Sequence, residues 1–170
     1  IKFSMNKTIL YYVHDPMCSW CWGFRPTWNE IQRRLPEDIE VRYLVGGLAP
    51  DSDVPMVDEM QQMLQGAWRK IQGMLNTPFN FDFWPHCNPK RSTYPACRAV
   101  IAAEKQGRGR EMIFALQRAY FLRALNPSDI KTHIQLAEEM GIDVSKYESD
   151  LRSDETQNEL IHQIQLGQEL

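Results

Sequence analysis

The chain has 170 residues, enough for one domain, or one domain with an insertion, and for a core that needs no disulfide staples. Apolar residues make up 43% and charged residues 24%, as in ordinary globular proteins, and a net charge of −3 leaves no basic field to hold a nucleic-acid duplex. No apolar run approaches the roughly 20 residues that span a bilayer, and four cysteines are too sparse for a secreted disulfide scaffold.

At the start of the chain, Ile1 to Val13 lacks the basic opening, long apolar stretch and small-residue cleavage site of a secretory leader. Met5-Asn6-Lys7-Thr8 reads as a natural start, with Ile1 to Ser4 as a remnant before it. The expected compartment is therefore the cytoplasm, with a removed leader and a periplasmic location as the alternative. Thr8 to Val13 is a continuous apolar run of strand formers and predicts a buried strand. His14-Asp15-Pro16 breaks it. A helix is predicted from Cys18 to Arg34, ending before Pro36. Ile39 to Val45 predicts the next strand, closed by Gly46-Gly47. Strand, helix and strand in this order make a βαβ unit, hence a parallel pair with a right-handed crossover.

After Pro55 the character changes. Met56 to Leu75 has helical spacing, and Asn76 to Pro89 reads as a loop rich in Pro, Asn and aromatic residues. Helices are predicted over Tyr94–Gln106, Arg110–Leu125, Ser128–Met140 and Val144–Leu151. Ser128 and Asp143 are the expected N-caps, and Gly141 the expected stop after Met140. Thr156 to Leu170 reads as a helix up to the last residue, with Gly167 as its only stop signal. Two strands make a poor sheet, so further strands are expected beyond these residues.

Cys18-Ser19-Trp20-Cys21 is a CxxC placed directly after a strand and at the start of a helix. At i and i+3 in the first turn the two cysteines share a face, within the roughly 4.4–6.8 Å Cα separation that a disulfide spans. Unpaired N–H groups and the positive end of the helix dipole favour thiolate, so Cys18 is expected to titrate below the free value of about 8.5. Cys18 is the expected attacking sulfur and Cys21 the resolving one. The plainer alternatives are two ordinary helix cysteines or half a zinc site. Zinc takes about four ligands, usually with a second CxxC or an HxxxH pair. No such pair exists here, and His86-Cys87 with Cys97 is too irregular to complete one, so no metal is expected.

His14-Asp15-Pro16-Met17-Cys18-Ser19-Trp20-Cys21-Trp22-Gly23-Phe24 resembles the active-site segment of DsbA-like proteins of the thioredoxin superfamily, nearest to the dithiol–disulfide isomerases of the FrnE type. Pro26 matches the helix-kinking proline of such active sites. Val45-Gly46-Gly47-Leu48 and Thr93-Tyr94-Pro95-Ala96-Cys97-Arg98-Ala99 resemble the same subgroup. The resemblance implies an α/β fold: a thioredoxin-like βαβ unit over residues 5–54, a large all-helical insertion over 55–150, and a helix over 151–170 leading back to the thioredoxin-like domain. It also implies a following loop with a cis-proline and a ββα unit. None of these is in the sequence, so the chain is expected to be cut short.

By the same resemblance, the protein is expected to be a thiol–disulfide oxidoreductase or isomerase acting on a disulfide- or dithiol-containing protein or small thiol. It is expected to need no metal or organic cofactor, with glutathione as a candidate electron partner. No nucleic-acid or membrane partner is expected. The rival enzyme is a glutathione-dependent isomerase or transferase of the kappa-class and 2-hydroxychromene-2-carboxylate isomerase group, which typically carries serine where Cys18 stands. The non-enzymatic rival is a redox-inert domain that holds polypeptide.

Other residues carry weaker expectations. His14 is a candidate to stabilise a thiolate or shuttle a proton. Pro16, Ser19 and Trp20 flank the sulfurs as candidate tuning or substrate-contacting residues, Ser19 as a hydroxyl donor to Cys18 and Trp20 as a platform or shield. Trp22 and Phe24 are expected in the core. Cys87 and Cys97 are a candidate second thiol pair. The plainer reading, preferred here, makes Cys97 a small buried apolar residue and Cys87 a free thiol. Trp84, His86 and Arg91 lie in a loop placed to roof the site. Met56, Met60, Met63 and Met74 suggest an adaptable binding face, or core. Gly107-Arg108-Gly109 is not a phosphate loop. Glu138-Glu139 and Asp154-Glu155 are expected to be solvated.

Overall fold

The computed structural model describes residues 7–170, so the reading of Met5 as a natural start lies outside the described residues. Strand β1 (Thr8–His14) pairs in parallel with β2 (Ile39–Val45), in a register that sets Thr8 against Ile39 and His14 against Val45. Helix α1 (Ser19–Arg34) connects them. Its apolar face meets the sheet through Trp28, which stacks on Tyr12 at 4.1 Å and donates its indole N–H to the Tyr43 hydroxyl at 2.8 Å. Pro26 lies inside α1. Seven more helices follow: α2 (Asp58–Leu75), α3 (Phe83–His86), α4 (Tyr94–Glu104), α5 (Gly109–Phe121), α6 (Ile130–Met140), α7 (Val144–Leu151) and α8 (Asp154–Glu169). Among the described residues no helix is long and apolar enough to cross a membrane.

Two clusters hold these elements together. The larger surrounds α4, with Ala96, Cys97, Val100 and Ala103 packed against Met112, Leu116, Leu136, Tyr147 and Leu160. Small residues on α4 let four helices, α5 to α8, approach it closely. The second is aromatic: Trp22 of α1, Trp68 of α2, Phe83 and Trp84 of α3, and Tyr120 and Phe121 of α5. Trp68 lies within 5.5 Å of the rings of Phe79, Trp84, Tyr120 and Phe121. Helix α8 closes over β2, where Gln163 accepts the Val45 backbone N–H at 3.0 Å. Gly47 (φ +58) permits this closure, since a Cβ there would lie 2.4 Å from Ile164.

Several expected boundaries shift for tertiary reasons. Helix α5 stops at Phe121 rather than Leu125 because Asn80 captures the carbonyls of Phe121 (2.7 Å) and Leu122 (3.0 Å). Helix α2 begins at Asp58 because the Met56 N–H is already given to the Pro89 carbonyl at 2.8 Å. Ser128 does not cap α6. Its hydroxyl donates to the Ser92 carbonyl at 3.1 Å, and Asp129 takes the cap position. Asp143 caps α7 by accepting the Lys146 N–H, and Gly141 (φ +69) ends α6. Ser153 caps α8, which therefore starts before Thr156. The loop of Asn76 to Pro89 contains the short α3. Strand β1 is only half buried, with Ile9 and Val13 exposed, because β2 is its one strand neighbour among the described residues. Glu138, Glu139, Asp154 and Glu155 are all exposed, as expected; Glu139 also accepts two hydrogen bonds from Arg123, and Glu155 faces Lys105.

Candidate active site

Cys18 occupies the N-cap of α1, with extended backbone angles (φ −73, ψ 115). The turn before it is built by Asp15. The Asp15 carbonyl accepts the Cys18 N–H at 3.0 Å, and its Oδ1 accepts the Met17 N–H at 2.8 Å. Pro16 lies within this turn. A short acidic side chain that bonds its own backbone two residues on is the usual way to start such a turn. The turn presents Cys18 at the tip of the helix and Cys21 one turn deeper, both half-buried.

The two sulfurs titrate in opposite directions. The Cys18 thiol is lowered to about 7, first because the Cys21 S–H donates to its sulfur. Burial opposes this shift, and the backbone N–H groups of Cys21 and Trp20 support it. Cys21 is pushed well up, because its proton is held by Cys18 and because it is buried. This arrangement favours the thiolate on the outer sulfur and keeps the proton on the inner one.

His14 ends β1 and is buried against Tyr12 and Tyr43, with ring centroids at 5.6 and 5.8 Å. Neither ring nitrogen has a partner among the described residues. Burial, assisted by the Arg25 charge, lowers His14 to about 4, so the ring is neutral at pH 7. His14, Cys21, Arg25 and Gln117 line a cavity of about 40 Å³ behind the inner sulfur. That is room for a water.

On the other side of Cys18 runs a groove of about 280 Å³, walled by Met56, Met60, Met63 and Leu64, floored by Trp68 and Tyr120, and edged by Lys90 and Arg91. Trp20, Leu48 and Met63 stand 44%, 64% and 58% exposed around the sulfur. Ser19 also lines the groove. Met74, the fourth methionine of the expected face, is exposed and does not line this groove.

The remaining candidates scatter. Trp22 is buried, stacked on Phe121 and donating to the Pro78 carbonyl at 2.9 Å. Phe24 is exposed rather than in the core: it lies one turn before Trp28 on the same face of α1 and reaches only the edge of Tyr12, at 6.5 Å, beside a strand with one strand neighbour among the described residues. Trp84 is buried in the aromatic cluster and His86 is exposed, so of the three loop candidates Arg91 is the one that reaches the groove. Cys87 donates its thiol to the Ala124 carbonyl at 3.2 Å. Cys97 is fully buried and directs its thiol at Asp15 Oδ2, 3.6 Å away. The two thiols thus have different partners and belong to different clusters.

Sequence reasoning passed over Asp15, reading it only as a strand breaker. Its carboxylate is 2% exposed. Besides Met17, it accepts the Leu48 N–H at 3.0 Å, the Thr93 hydroxyl and the Cys97 thiol. The legible signal was an aspartate three residues ahead of a helix-capping cysteine.

Comparison with known proteins places the fold in a family. The ClpXP adapter protein SpxH of Halalkalibacterium halodurans is 28% identical over 150 residues, covering 85% of this chain and 49% of its own length. The chain spans about half the length of the curated relatives it matches. Among solved structures, a Nitrosomonas europaea protein provisionally assigned as a protein disulfide isomerase superposes with a TM-score of 0.82 at 27% identity, over 94% of this chain and 77% of that one. The cytosolic disulfide reductase DsbM of Pseudomonas aeruginosa, solved with glutathione, shares the fold with a TM-score of 0.74 at 22% identity, over 93% and 78%. A thioredoxin family model matches residues 11–170, and the chain belongs to the thioredoxin family, with a DsbA-like fold.

Proposed function

We propose that the protein is a thiol–disulfide oxidoreductase working through Cys18 and Cys21. The observation that carries this reading is the placement of Cys18 at the N-cap of α1 with Cys21 one turn deeper, where the Cys21 S–H and the first-turn N–H groups favour the Cys18 thiolate. The Cys18 thiolate attacks one sulfur of a substrate disulfide, forming a mixed disulfide and releasing one substrate thiolate. Once Cys18 is in that bond it no longer holds the Cys21 proton as an anion. Cys21 then loses its proton, attacks the Cys18 sulfur and releases the second substrate thiol. Two electrons pass to the substrate, and Cys18–Cys21 becomes a disulfide. Two molecules of glutathione, or another dithiol, restore the reduced pair.

The inner proton passes to the released substrate thiolate, since His14, which lines the same small cavity as Cys21 but is lowered to about 4 by burial, is too weak a base to take it. Trp20, Ser19 and the methionine-walled groove bear the substrate beside the attacking sulfur. Their exposed apolar surface suits a polypeptide, because flexible methionines adapt to varied side chains. The cytoplasm, where DsbM acts as a reductase, is the proposed compartment.

A glutathione-dependent isomerase of the 2-hydroxychromene-2-carboxylate type would tolerate loss of Cys21, whereas this mechanism does not. The name of the adapter relative supports a second reading, a domain that holds polypeptide in the same groove without turnover. One experiment separates them: equilibration with glutathione buffers, with peptide-resolved detection of the Cys18–Cys21 disulfide. A potential near −270 mV marks a reductase and one near −120 mV a disulfide donor. If no such disulfide forms at any poise, the dithiol reading fails and polypeptide holding takes its place.

A further inference from the structure

Asp15 is a buried carboxylate that the mechanism above does not use. Four donors from four places in the fold converge on it: the Met17 N–H from the turn ahead of Cys18, the Leu48 N–H after β2, the Thr93 hydroxyl at the cap of α4, and the Cys97 thiol within α4. Thr93 extends the network, since its hydroxyl also accepts the Ala49 N–H at 3.1 Å. We propose that Asp15 is a positioning residue: it joins the CxxC turn to α4 and, by its negative charge, restrains the Cys18 thiolate, holding the dithiol toward the reducing end of its range.

The geometry supports both halves. Turn, post-strand loop and insertion helix all bond to this one side chain, and a carboxylate can accept from all four donors at once. The charged and titratable groups facing it are Cys18 and Cys21 on α1, Cys97 on α4 and Tyr120 on α5. None of them is a cation. The carboxylate is therefore balanced by hydrogen bonds alone, and its field on the two sulfurs is uncancelled by a paired positive charge. A like charge beside a thiolate disfavours it. A disfavoured thiolate makes the dithiol less stable relative to the disulfide, and so more reducing.

The inference rests on the dithiol reading. Its test is the pH dependence of Cys18 alkylation by iodoacetamide, resolved by peptide mass, in the native protein and in Asp15→Asn. The asparagine is close in shape and lacks the charge. The expected midpoint falls by about one pH unit. At pH 7, from a starting value near 7, the ratio of dithiol to disulfide in a fixed glutathione buffer rises about fivefold. A midpoint that stays put or rises overturns the inference, since a merely structural role destabilises the fold without lowering the midpoint.

If Asp15→Asn does not fold, by circular dichroism, the native protein decides. The Asp15 carboxyl carbon resonance is followed against pH in the reduced and oxidised states. A second, smaller step in the carboxyl resonance at the Cys18 midpoint is expected in the reduced state and not in the oxidised one, because the carboxylate then senses the thiolate charge. Identical titrations overturn the inference. Failure of the native protein to form a Cys18–Cys21 disulfide would defeat the oxidoreductase reading instead, while the alkylation midpoints would still report the field of Asp15.

Discussion

Cys18 caps α1 and Cys97 lies one turn into α4, so each sulfur sits near a helix N-terminus on the same scaffold. Cys18 is half-buried, receives the Cys21 S–H and the N–H groups of the first turn, and is lowered to about 7. Cys97 is fully buried, points at a carboxylate and is raised well above an ordinary thiol, chiefly by burial. The helix end is thus insufficient to activate a sulfur. What separates the two is solvent access and the sign of the nearest group, a donor for one and an acceptor anion for the other.

That contrast can be broken most completely at Cys18. Cys18→Ser is expected to reduce disulfide exchange to the uncatalysed background, measured by insulin reduction or a glutathione-coupled assay, with Cys97 unable to substitute. Trp68→Ala attacks the frame beneath the groove. Loss of this buried ring should cost about 3–5 kcal/mol, read from urea unfolding, because its aromatic neighbours cannot close the void.

A third effect is acid destabilisation. His14 and His133 are both lowered to about 4 by burial, from 6.5. The unfolded chain binds their protons first, so stability is whole above pH 6.5 and falls between 6.5 and 4. The loss is about 3 kcal/mol for each ring at its limit. Urea midpoints in that window, compared with His133→Gln, check the sign and its share.

Smaller still, Cys21→Ala removes the S–H that holds the Cys18 anion. The Cys18 alkylation midpoint should move up toward the free-cysteine value of about 8.5, and mixed disulfides with substrate should accumulate. Finally, Cys97→Ala should leave the Cys18 midpoint within a few tenths of a unit and cost about 1 kcal/mol in stability, by loss of one buried hydrogen bond. In the native protein Cys97 should stay unalkylated until unfolding.

Much of this was legible along the chain. The two strands, the CxxC between strand and helix, and the caps at Asp143 and Gly141 follow from side-chain pattern and turn chemistry over a few residues. The expected end of α5 at Leu125 and the expected cap at Ser128 failed for one kind of reason. Asn80 and Ser92, distant in sequence, took the groups that local propensity had assigned to the helix. Phe24 failed because its place at the margin of the core is set by Tyr12 and by how far the sheet extends, not by its position along the helix.

The sequence by itself determined that a strand would deliver two cysteines to the first turn of a helix, because strand propensity, a proline turn and the i, i+3 spacing are local properties. Only the tertiary structure decided which thiols face solvent, that Met56, Met60 and Met63 wall a groove at Cys18, and that Asp15 gathers four donors around a buried charge. Burial and electrostatic fields are sums over neighbours that the chain brings together from Leu48, Thr93 and Cys97, and no local pattern encodes those meetings.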